Sequence, residues 1–84
     1  MIKCLVLLTG IVLIAKIEEI DAELGDPNCL ISDVCLINPD GTISPWLDFS
    51  EDTELMVRSE NILTITEPKK DIVKLYLETI SWEF

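Results

Sequence analysis

Two apolar runs open the chain. Residues 2–8 and 11–20 are dense in Val, Ile and Leu, and the Thr9-Gly10 pair between them is a turn-permissive break of the sort that joins two strands of a hairpin. The second run alternates toward its end, with Ala15, Ile17 and Ile20 set against Lys16, Glu18 and Glu19, so one of its faces meets water. A turn-rich stretch follows at residues 21–28, containing Gly25 and Asp26-Pro27. Residues 29–37 read as a third strand. Strict alternation puts Leu30, Ser32, Val34 and Leu36 on one face and Cys29, Ile31, Asp33 and Cys35 on the other. Pro39-Asp40-Gly41 is a strong turn, and a fourth, bent strand is expected over residues 42–58, interrupted by Pro45 and by the acidic segment 48–54. The fifth strand is residues 62–66.

The periodicity then changes. After Pro68, a residue suited to a first helical turn, Ile72, Val73, Tyr76, Leu77 and Ile80 fall on one stripe at helical spacing. This predicts a C-terminal helix at about residues 68–80. Lys69 and Lys70 lie at its positive dipole end, so the helix is held by docking rather than by its own propensity. The expected fold is therefore mainly β: one domain over residues 1–84, a small five-stranded open barrel of Sm-like or SH3-like type, with the helix packed across it.

Composition adds a reason to expect assembly. Of 84 residues, 49% are hydrophobic, which is rich for a small soluble monomer and implies apolar surface covered by another subunit. The 16 acidic and 6 basic residues give a net charge of -10, which repels nucleic acid and anionic membrane at long range, so any nucleic-acid site must be local. Cys4, Cys29 and Cys35 form no CxxC pair and the chain has no His, which argues for reduced thiols in a cytoplasmic protein and against a zinc site. The first run imitates a signal peptide, but no small-x-small cleavage pattern follows Ala15. The run also falls short of the roughly 20 apolar residues needed to span a bilayer. No membrane contact is expected.

The connection between the last two strands carries the most specific signal. Val57-Arg58-Ser59-Glu60-Asn61-Ile62-Leu63-Thr64-Ile65 resembles the second signature of Sm and LSm proteins, in which an apolar residue, Arg, a small residue, a spacer and Asn join the last two strands of a small barrel. Gly10, Ala15, Ile17, Ile20 and Asp21 fall in the places of the first signature. Ala15 and Ser59 stand where Gly is usual, and Asn28 follows Asp21 at a longer interval than the family's Asn. The family also has its helix before the first strand, whereas here it comes last. The chain as a whole further resembles small proteins of marine cyanophages.

The resemblance implies a cyclic homo-oligomer of about five to seven subunits, closed by pairing the fourth strand of one with the fifth of the next. It also implies a pore that binds single-stranded RNA or DNA through Arg58 and Asn61, with Asp21 positioning the loop and Asn28 as a further contact. A guanidinium can stack on a base or bond phosphate, and an Asn amide can read a base edge. The residues alone allow a plainer reading, in which Arg58 pairs with Glu60 or the acidic segment and Asn61 merely supplies the turn. A ring used only for protein contacts is the alternative function, and the acidity would suit it.

Other constellations are weaker. Residues 48–54 place oxygens at alternating positions, but Thr53 and Ser59 occupy the places where a calcium loop needs Gly and Glu, so a solvated acidic loop is expected. Trp46, Phe49, Trp82 and Phe84 suit a core or an interface as well as base stacking. No motif marks a nucleophile or a paired acid and base, so neither an enzyme nor a cofactor is expected.

Overall fold

Two hairpins of the same design anchor the architecture. A computed structural model of the chain describes residues 1–19, 28–46 and 54–83. In it, β1 (Ile2–Leu7) and β2 (Val12–Glu19) pair antiparallel, with Leu5 opposite Leu13. At their turn the Leu7 amide donates to the Ile11 carbonyl at 2.9 Å and the Gly10 amide to the Leu7 carbonyl at 2.9 Å. The turn from β3 (Cys29–Ile37) into β4 (Ile43–Pro45) repeats those two bonds, Asn38 to Thr42 at 2.8 Å and Gly41 to Asn38 at 2.9 Å. Gly10 and Gly41 each sit at φ +89°, the left-handed conformation that closes a three-residue loop and that Gly adopts without cost. Asp40 reinforces the second turn by accepting from the Thr42 amide and hydroxyl, which hold its carboxyl below the usual range.

The expected fourth strand is two strands. β4 pairs with residues 35–37 of β3, and β5 (Glu54–Val57) pairs with residues 29–32 along the same edge. Between them the Trp46 amide reaches the Val34 carbonyl at 3.2 Å. A single 3-10 turn, Ser59–Asn61, leads into β6 (Ile62–Thr66), which pairs antiparallel with β1. The sheet order is β4-β3-β2-β1-β6, with β5 beside β4 on β3.

This sheet must curl. β5 and β6 lie on opposite edges, which in a flat sheet would be about four spacings of 4.8 Å, or about 19 Å, apart. Four residues, three of them in a tight turn, join Val57 to Ile62, and five extended steps would reach only about 17 Å. Curling brings Leu55 and Val57 from one edge and Ile62 from the other against one core of Leu5, Leu13, Ala15, Ile31 and Val34. The curl stops short of closure. Among the described residues β6 pairs with β1 and β5 with β3, so the molecule is an open antiparallel sheet rather than a closed barrel.

The face assignment within β3 departs from strict alternation. Ile14 lies opposite Cys35 and Lys16 opposite Ser32, so Ala15 faces both Asp33 and Val34 in a β-bulge. Asp33 takes φ +50°, which Asp tolerates better than most residues. The extra residue flips everything after it: Val34 and Leu36 join Ile31 inside the curl, while Cys35 and Ile37 turn to the other face. On that face α1 (Lys70–Glu83) docks, and Tyr76 packs with Cys4, Ile14 and Cys35 beside Ile72 and Ile80. The helix starts two residues later than its pattern predicts, because the Lys69 carbonyl accepts its first bond, from Val73. It also runs on past Ile80, where no Gly or Pro stops it.

Burial sets the response to base. The Cys4 and Cys29 thiols and the Tyr76 phenol are all pushed up by desolvation, with Glu19 adding to Cys29 and Asp33 to Tyr76. Each is raised relative to the unfolded chain, so its contribution is complete below the unfolded value and is lost as pH rises past it. Unfolding free energy should therefore be flat near neutrality and fall progressively above about pH 8.5, where free thiols begin to ionise. Urea titrations between pH 7 and 10.5 check this, and constant stability across that range would contradict it.

Candidate functional site

The connection between β5 and β6 is held by its backbone, not left loose. Arg58 is extended at φ -75° and ψ 131°, and its carbonyl accepts from the Asn61 amide at 3.0 Å to form the 3-10 turn. Asn28, the residue before β3, accepts from the Ser59 amide at 2.9 Å through its side-chain oxygen. At the other end the Leu8 amide donates to the Asn61 carbonyl at 3.1 Å. The tip is thus stapled to the start of β3 and to the β1–β2 hairpin. It can present side chains from a fixed backbone.

Three of the four sequence candidates meet here. Arg58 and Asn61 are exposed on the tip itself. Asn28 is brought to it across 31 residues, where its side-chain oxygen supports the turn by accepting from Ser59. Asp21 lies outside the described residues, as do Ile20, the turn-rich stretch 21–27, Phe49, the acidic segment up to Thr53 and Phe84. The Arg58 guanidinium stands 3.9 Å from the Glu60 carboxylate, with both side chains more than half exposed. An exposed pair of this kind is worth little, so the guanidinium stays available to a stronger anion.

The other cations are spread out. Lys3 pairs with Glu67, Lys16 reaches Asp33 at 3.0 Å, and Lys69, Lys70 and Lys74 lie at the start of the helix. Arg58 is the one basic residue between Glu54 and Thr66. The tip therefore carries one positive charge. Among the described residues no group of three His, Cys, Asp or Glu side chains could hold a metal ion, and no helix is long and apolar enough to cross a membrane.

Sequence reasoning missed one polar device. The Tyr76 hydroxyl donates to the Asp33 carbonyl at 2.7 Å, filling the backbone acceptor that the bulge leaves out of the ladder, while Lys16 reaches the Asp33 carboxylate. A lone Asp inside an apolar strand was the available signal.

An open, curled antiparallel sheet with one docked helix and one stapled strand connection defines the class of module. The chain belongs to a family of unknown function, DUF6561, whose model matches residues 1–81. A search of the curated proteins found no match.

Proposed function

We propose that the protein is a non-enzymatic, self-assembling module of the cytoplasm whose subunits join edge to edge, β5 of one beside β6 of the next, in a cyclic homo-oligomer. One observation carries this reading. Among the described residues the sheet ends in two different unpaired edges, and large apolar side chains stand exposed on both: Met56 on one, Leu63 and Ile65 on the other. Exposed apolar edge strands invite another chain, and natural monomers blunt them with charge, Pro or cover. The only acid within β6 or β5 is Glu54. Because the two edges differ, the contact is head to tail, and such contacts form a ring where the rotation from one subunit to the next closes. The likeness of the 57–65 segment to the second Sm signature supports the same arrangement.

Lys at Leu63 or Ile65 should leave the fold intact, since both are exposed, and should convert the assembly to monomer. Equal circular dichroism with a mass falling to 9.5 kDa is the expected pair of results. An unchanged oligomer in Leu63→Lys and Ile65→Lys would remove β6 from the interface.

A second reading adds single-stranded nucleic acid at the tip, and the double stapling of that tip favours it. In a ring, Arg58 and Asn61 would repeat around one axis, so one charge per subunit becomes a concentrated patch against a net charge of -10. Binding would be weak and steeply salt-dependent, because few phosphates are neutralised. It would favour unpaired bases that can stack. Arg58→Ala should abolish binding to short oligonucleotides at low salt without loss of stability. If wild type binds no RNA or DNA oligomer, or Arg58→Ala binds equally, the tip is a structural connection and protein contact alone remains.

A further inference from the structure

The helix covers two thiols at once. Cys4 on β1 stands opposite Ile14 on β2, and Ile14 opposite Cys35 on β3, so the three side chains form one row across the outer face of the sheet. Tyr76 lies over that row, with Ile72 and Ile80 beside it. Cys4 is buried in this layer, and Cys35 and Tyr76 are fully so. The bulge ties the layer together, because one backbone oxygen, that of Asp33, accepts from the Tyr76 hydroxyl at 2.7 Å and from the Cys35 thiol at 4.0 Å.

Little else holds the helix down. Of residues 70–81 only Tyr76 is buried, and among the described residues no ion pair joins the helix to the sheet. Lys70 offsets Asp71 in its first turn and no basic residue stands in its last, so the dipole adds little. The inner core of Leu5, Leu13 and Ile31 involves none of its residues. The helix can therefore open as a local unit while the sheet stays folded. Its release bares Cys4 and Cys35 together. An adduct on either then keeps it off, since a group of several atoms on a thiol beneath Tyr76 has no room in a close-packed layer.

We infer that α1 is a thiol-addressed latch: it opens as a unit of its own, and a mixed disulfide formed at Cys4 or Cys35 with a small-molecule disulfide holds it open. In that step the cysteine thiolate attacks one sulfur of the disulfide. A new S–S bond forms as the old one breaks, the other half leaves as a thiolate, and the cysteine proton passes to solvent. Docked, the helix protects the thiols, and desolvation holds Cys4 above its usual range. Released, it exposes the apolar row together with Ile37 and Ile43. No residue of β5 or β6 belongs to this layer, so the inference stands apart from edge-to-edge assembly.

Dithionitrobenzoate, an aromatic disulfide, tests it on the full chain at one pH, with adducts assigned by mass after digestion. Tyr76→Phe, which removes the hydroxyl bond to Asp33, should speed the labelling of Cys4 and Cys35 alike, by about tenfold. Ile31→Val, in the inner core, should lower the urea midpoint yet label both thiols at the wild-type rate, because the helix opens without that core. Cys29→Ala leaves only the two thiols under the helix. Once labelled, this variant should lose amide-exchange protection across residues 70–83 and keep it in β1, β2 and β3, relative to its own unlabelled form, and excess dithiothreitol should restore the helix. Wild-type labelling rates in Tyr76→Phe, faster labelling of both thiols in Ile31→Val, protection retained in the labelled helix, or protection lost throughout the labelled sheet would each overturn the inference.

Discussion

Removing residues 2–8 should abolish folding. β1 lies inside the sheet between β2 and β6, so its loss strips β6 of its partner and unpairs one side of β2. It also takes away fully buried Leu5, buried Cys4 and the packing of Ile2 and Leu7 on the two cores. Each fully buried aliphatic side chain is worth about 1.5–3 kcal/mol. Several together approach or exceed the roughly 5–15 kcal/mol that holds a typical domain. The truncated chain should give no cooperative urea transition and no dispersed amide spectrum. A soluble, cooperatively folded truncation would mean that the first apolar run is dispensable, as a cleaved leader would be.

The second large effect concerns the helix. Tyr76 is fully buried and is the main contact of α1 with the sheet, so Tyr76→Ala should cost about 3–5 kcal/mol. Tyr76→Phe isolates the hydroxyl. It keeps the ring but leaves the Asp33 carbonyl at the bulge without its phenol donor, for a cost of about 1–3 kcal/mol. Urea denaturation of both variants checks the order Ala well below Phe below wild type. A Tyr76→Ala protein within about 0.5 kcal/mol of wild type, the range of an ordinary surface change, would show that the helix is not docked as described.

The physical origin of these effects also marks how far the sequence could be read. Local signals were strong where chemistry was local. Gly10, Pro39-Asp40-Gly41 and the stripe through Ile72, Tyr76 and Ile80 placed both hairpins and the helix, and the alternation from Ala15 to Glu19 placed the wet face of β2. The bulge at Asp33 was not legible, because a period-2 reading assumes no slip and Asp at positive φ leaves only a faint mark. It put Val34 and Leu36 on the same face as Ile31, from which strict alternation separates them. The break of the fourth strand into β4 and β5 was foreshadowed by Pro45, but their common edge on β3 depends on the tertiary path.

The candidate site divides the same way. Arg58 and Asn61 on a turn between strands followed from the local pattern. That Asn28 supports this turn required two segments 31 residues apart to meet.

Assembly of β5 on β6 of the next copy is the claim on which the functional reading turns, and the mass of the wild-type protein in solution tests it most directly. Light scattering coupled to size exclusion at micromolar concentration should give a single species at an integral multiple of 9.5 kDa, about five to seven subunits, that does not grow with concentration because a ring has no free ends. A monomer of 9.5 kDa under those conditions would contradict the account.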